Sequence, residues 1–167
     1  MAAFTNVSHA QDENNGQTAN GNWLIEMNTG FGNGTAAHTA NTGFGLASSD
    51  GTTIWSVGGE TGYFIDDDLA LKLGLGYTDF DGISAFSYKF GAKYYAASIV
   101  PVQLDVTGAS WKDADENPLW LGIQGGYAIF LGDMVSAEPG IRYNISLNED
   151  FTDEGVLELR FGFVLHL

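Results

Sequence analysis

The chain has 167 residues, no cysteine, three prolines and 23 glycines, and its six Lys and Arg stand against 21 Asp and Glu for a formal net charge of −15. That length suits one domain or one closed barrel. The missing cysteine excludes a disulfide scaffold, a Cys-ligated metal site and a thiol nucleophile, and the charge argues against nucleic acid, whose phosphates call for cations.

In chain order, residues 1–20, rich in Asn, Gln and Thr, are expected to be a disordered, flexible tail. Ser8-His9-Ala10 fits the small-residue end of a cleaved export signal, and a plain tail equally well. No stretch approaches the roughly 18–20 apolar residues of a membrane helix. From Asn22 onward the hydrophobic period is two. Leu69, Leu71, Leu73, Leu75 and Tyr77, for example, alternate with Ala70, Lys72, Gly74 and Gly76. The pattern predicts eight strands at 22–32, 53–64, 69–78, 83–94, 99–110, 119–130, 135–145 and 156–167. The fold class is all-β, and 21–167 form the barrel domain.

The connections alternate in length. Those at 65–68, 95–98 and 131–134 are short, whereas 33–52, 111–118 and 146–155 are longer, with 79–82 the short exception. Short turns at one end and longer loops at the other are the pattern of an antiparallel up-and-down transmembrane barrel in an outer membrane, with turns and termini periplasmic and loops extracellular.

Parity then sorts the charges. The face opposite the large apolar residues carries Glu26, Glu60, Lys72, Lys89, Lys93, Gln103, Asp105, Gln124, Glu138, Arg142, Glu158 and Arg160. Its acids and bases balance, and the remaining acids lie in loops, turns and tail with only Lys112 to oppose them. A soluble barrel does the reverse. Turn geometry places Glu60 opposite Lys72, Lys89 opposite Asp105 and Arg142 opposite Glu158, each to within one residue, so the reading is a narrow lumen plugged by ion pairs. Trp23, Phe31, Trp55, Tyr63, Tyr77, Tyr94, Trp111 and Tyr143, near strand ends, would form the interfacial girdles.

Several stretches carry a resemblance. They are Gly58-Gly59-Glu60-Thr61-Gly62-Tyr63-Phe64 followed by Asp66-Asp67-Asp68-Leu69-Ala70-Leu71, Leu73-Gly74-Leu75-Gly76-Tyr77, Gly125-Gly126-Tyr127, and Glu138-Pro139-Gly140-Ile141-Arg142-Tyr143. Through them residues 22–167 resemble the eight-stranded outer-membrane β-barrels of OmpX/OmpA type, including the small flavobacterial barrels. The resemblance implies architecture and says nothing of a ligand. The chain departs from it at its end, Phe163-Val164-Leu165-His166-Leu167, where such barrels close on an aromatic residue.

Other motifs point to no catalysis. The glycine-rich Gly30-Phe31-Gly32-Asn33-Gly34, Gly43-Phe44-Gly45 and Gly74-Leu75-Gly76 lack the following helix that a phosphate loop needs. His9, His38 and His166 are too scattered for a metal triad, and no spacing proposes a Ser–His–carboxylate set. Asp79 and Asp81, then Asp113, Asp115 and Glu116, then Glu149, Asp150, Asp153 and Glu154 give the loops acidic surfaces. A solvated anionic rim is the simplest reading, and Ca2+ or Mg2+ at these carboxylates is the alternative. Asp66-Asp67-Asp68 reads as turn chemistry. Gly21-Asn22-Trp23 matches the opening of a lipocalin, a soluble carrier, although buried cations fit such a cavity poorly.

The expectation is therefore a monomeric outer-membrane barrel, not an enzyme and without a required cofactor, in a structural or surface-interaction role. Its partners would be membrane lipid and another surface or outer-membrane protein, with no nucleic acid. The 33–52 loop, holding His38 and Phe44, is the expected recognition element. A passive small-solute pore and a lipocalin-like carrier are the alternatives.

Overall fold

The computed structural model describes residues 16–32, 43–49 and 51–167. Its strands are β1 (Trp23–Gly32), β2 (Gly43–Ser49), β3 (Thr52–Asp66), β4 (Leu69–Phe80), β5 (Ile83–Ala96), β6 (Val100–Trp111), β7 (Leu119–Gly126), β8 (Ile129–Phe130), β9 (Val135–Ser146) and β10 (Val156–His166). Pairing is antiparallel throughout, and β1 joins β10 to close the sheet. β7 and β8 run along β9 in one register and make a single stave, broken at Tyr127 and Ala128. β1 and β2 share another. Trp23 to Glu26 pair with Tyr63 to Glu60 of β3, and further along β3 its Gly58 to Thr52 pair with Gly43 to Ser49. The result is an eight-stave closed barrel, the architecture that leaves no sheet edge for lipid to strand.

All eight expected strands are present. The segment 33–52, read as one long loop, instead contains β2 within it. Its pattern is too rich in Gly and Ser to announce a strand; what makes it one is backbone pairing to β3. The available signal was Asp50-Gly51, a two-residue hairpin pair, since Ser49 and Thr52 face each other across it. His38 and Phe31's side chain lie outside what the structure describes, as do His9 and the side chain of Phe44.

Burial is inverted relative to a soluble protein. Along β4, Leu71, Leu73 and Leu75 are 41%, 49% and 50% exposed, while Ala70 and Lys72 between and beside them are 0% and 1% exposed. The outside is apolar and the inside charged, so this barrel does not have the filling of a lipocalin-like carrier. One layer of the interior keeps the expected parity but is apolar where a polar face was expected. At the turn end Leu24, Phe64, Ala70, Tyr95, Ala128 and Val164 form an inward apolar cluster with Phe130 against it. Rings and aliphatic chains fill this end of the lumen, and the hydroxyl among them, that of Tyr95, donates to Glu138 Oε1 at 2.8 Å.

Residues 16–20, read as tail, lie across the turn end, with Gln17 and Thr18 buried. Thr18 Oγ1 donates to Asp68 Oδ1 at 2.5 Å, and Gln17 Nε2 donates to the Gly132 carbonyl at 2.5 Å.

Candidate functional site

The candidate site is the polar interior. Glu26, Glu60, Asp105, Glu138 and Glu158 face Lys72, Lys89, Lys93, Arg142 and Arg160, and all ten are buried. Each takes part in at least one ion pair. Strand alternation places them inside, because a one-residue slip would turn every one of them into lipid.

The ion pairs fall into two clusters, joined through Gln103, which accepts from Lys72 and donates to Asp105 Oδ2 at 2.6 Å. In the first, Lys72 Nζ lies 2.5 Å from Glu26 Oε2 and 2.7 Å from Glu60 Oε2, and it also donates to Gln103 Oε1 at 2.9 Å. Lys93 bonds Glu26 Oε2 at 2.9 Å and also pairs with Glu138, while Lys89 pairs with Glu60. An alternating chain of three carboxylates and three ammonium groups thus crosses the lumen from β9 to β5. In the second, the Arg142 guanidinium grips Asp105 with both Nη atoms at 2.6 Å, a bidentate pair. Its Nε donates to Asn144 Oδ1 at 2.7 Å, and Asn144 Nδ2 in turn donates to Glu158 Oε2 at 2.9 Å. Arg160 Nη2 stands 3.1 Å from the same Glu158 oxygen.

The pairings differ from those expected by direct opposition. Arg142 does stand opposite Glu158, yet its Nε is 4.0 Å from that carboxylate, and Asp105 is its bidentate partner. Lys89 stands opposite Thr107 and not Asp105, and it pairs with Glu60. Glu60 and Lys72 do meet, but Glu60 stands opposite Gly74, two residues from the expected register. The reason is reach. Lys89 and Glu60 both face Gly74 on the strand between them, and Asp105 and Asn144 both face Gly122. In these two crossings a long side chain spans the intervening strand where that strand carries glycine. A Cβ on Gly122 would lie 1.9 Å from Arg142 Nη2, and one on Gly74 would lie 3.0 Å from Glu60 Cγ.

Gly91 tests this tight interior directly. A Cβ there would lie 2.3 Å from the Leu104 carbonyl oxygen and 2.4 Å from Asp105 Cβ. Gly91→Ala is expected to lower unfolding stability in detergent by about 1–3 kcal/mol, as overpacking does. Gly59→Ala, with nothing within 4 Å of the added carbon, is the control and should change little.

Elsewhere the expected groups are spread out. Asp113, Asp115, Glu116, Glu149, Asp150, Asp153 and Glu154 are exposed. Among the described residues no three metal-ligating side chains converge on a point that would hold an ion. Trp23 packs on Tyr63 at 5.0 Å near the turn end, and Trp55 on Tyr77 at 5.2 Å toward the loop end, one aromatic pair at each end of the barrel. The structure also joins two residues that sequence spacing left apart. His166 Nε2 is 3.0 Å from Ser136 Oγ, and that hydroxyl reaches Glu138 Oε1 at 3.1 Å. The carboxylate sits on the serine and not on the imidazole, the reverse of the order in which a third group orients a catalytic base. The signal for this contact was the β9–β10 register, which sets Ser136 opposite Val164, two residues from His166 on the same face.

No protein-family pattern matches the chain, and no curated protein matches it in sequence. Its shape is similar to solved ones. The N-terminal β-barrel domain of Pseudomonas aeruginosa OprF aligns at TM-score 0.56 and 15% identity, covering 89% of this chain and 98% of that one. The outer membrane protein OprG from Pseudomonas aeruginosa aligns at TM-score 0.50 and 12% identity, covering 90% and 98%. With its closed antiparallel staves, apolar exterior and charged interior, the chain has the fold of the small eight-stranded outer-membrane β-barrels of OmpA/OmpX type.

Proposed function

We propose that this protein is an integral outer-membrane barrel with a structural or surface-interaction role, its lumen closed to solutes by paired side chains. The carrying observation is the neutral interior: five acids and five bases, all buried and all paired, inside an apolar exterior. An eight-strand interior is only wide enough for side chains, and ions paired across it leave no water-filled path. The acidic loops 112–118 and 147–155 extend past the strands at one end and supply the surface for contact with another surface or outer-membrane protein. In this reading they face outward from the cell, the termini face the periplasm, and the barrel works as a monomer.

Two measurements test the proposal. The protein should need detergent to refold and should show heat-modifiable gel mobility; a monomer freely soluble without detergent would sink the membrane assignment. In planar bilayers it should give little or no steady conductance. Large, stable open channels would favour a passive pore over the plugged barrel.

A further inference from the structure

A short segment of chain closes over the turn-end mouth. Residues 16–20 cross it and tie two turns together. Gln17 bonds the Gly132 carbonyl in the β8–β9 turn, and Thr18 bonds Asp68 in the β3–β4 turn. The Asp68 amide returns a bond to the Thr18 carbonyl at 2.8 Å. The other Asp68 oxygen accepts from Ser98 Oγ at 3.1 Å, which draws in the β5–β6 turn. Above this strap lies the ring of His166, among Phe130 at 5.7 Å, Tyr95 at 6.1 Å and Phe64 at 6.4 Å.

The proton positions follow from the bonds. Ser136 Oγ donates to Glu138 Oε1, so it meets His166 Nε2 as an acceptor. The neutral ring therefore carries its proton on Nε2 and leaves Nδ1 bare. Among the described residues, His166 Nδ1 and Gln17 Oε1 are both buried with no hydrogen-bond partner. The Gln17 main chain also borders the ring. Neither acceptor therefore meets a donor among the described residues. Leaving such groups unsatisfied is costly. One added proton supplies the donor.

We propose that His166 is a pH-operated latch: protonated at Nδ1, it donates to a Gln17 oxygen and holds residues 16–20 across the mouth; neutral, it lets the strap loosen. Histidine is the side chain that changes charge between about pH 5 and 8. The charged and titratable groups facing it are Glu138 on β9, Glu26 on β1, and Lys93 and Tyr95 on β5. β3, β8 and the strap contribute Phe64, Phe130 and Gln17, which carry no charge. Two carboxylates and one ammonium thus surround a ring whose burial disfavours its charged form.

The test uses the full chain refolded in detergent micelles. It follows the His166 ring nitrogens by NMR and hydrogen exchange at the Asp68 amide, corrected for the intrinsic rate. The Asp68 amide should be about tenfold better protected at pH 5 than at pH 8, the scale of one charge-assisted bond. That gain should rise in step with protonation of Nδ1 and vanish in His166→Phe. Should that variant fail to refold, the wild-type titration still decides. A ring that stays neutral throughout, a titration that leaves Asp68 protection unchanged, or a pH response that survives in His166→Phe would each overturn the latch.

Discussion

Arg142→Met is expected to lower unfolding stability in detergent by about 3–5 kcal/mol, the cost of leaving a buried charge without its partner. The stranded partner is Asp105, which receives both Nη atoms and keeps only neutral donors, Gln103 Nε2 at 2.6 Å and Thr107 Oγ1 at 2.7 Å. Adding Asp105→Asn removes the uncompensated charge and should restore part of the loss. Adding Glu158→Gln instead should restore less, because Glu158 lies 4.0 Å from Arg142 Nε and retains Arg160. Urea unfolding of the single and double variants, read by tryptophan fluorescence, gives the coupling. Full additivity of Arg142→Met and Asp105→Asn would refute the pairing and leave the barrel standing.

Glu26→Gln should be of similar size. Glu26 is the hub of the first cluster: its Oε2 binds both Lys72 at 2.5 Å and Lys93 at 2.9 Å, and its Oε1 receives the Asn28 amide. Removing its charge leaves Lys72, Lys89 and Lys93 sharing Glu60 and Glu138. One buried ammonium then lacks a counter-charge, and a loss of about 3–5 kcal/mol is expected. The exposed Asp153→Asn should stay within about 0.5 kcal/mol. If Glu26→Gln were as mild as Asp153→Asn, the interior would be wet enough to solvate the lysines, and the plugged lumen would fall with it.

Alternation along β4 to β10 was legible in the sequence. A period of two fixes which face each residue takes, and no packing detail alters that. Closure in eight staves and the charged interior followed from the same parity, since the polar face carried balanced acids and bases. The sequence also marked the turns, where Asp68 and Asp81 adopt positive φ of 64° and 52°, a conformation that aspartate tolerates. It did not mark β2, whose Gly43-Phe44-Gly45 start has little strand propensity and depends on its pairing with β3.

Partner choice inside the lumen was decided only in three dimensions. Index arithmetic across a turn finds the residue directly opposite, on the adjacent strand. Lysine and arginine are long, so inside a narrow cylinder they pass over the neighbouring strand and bind beyond it. Gly74 and Gly122 lie under those crossings, which is why Lys89 found Glu60 and Arg142 found Asp105. Residues 16–20 joined the barrel for a related reason. Nothing in Gly16-Gln17-Thr18 announces structure, but the closed mouth presents Asp68 and the Gly132 carbonyl at one place, and only the assembled barrel brings those two turns within reach of one short segment.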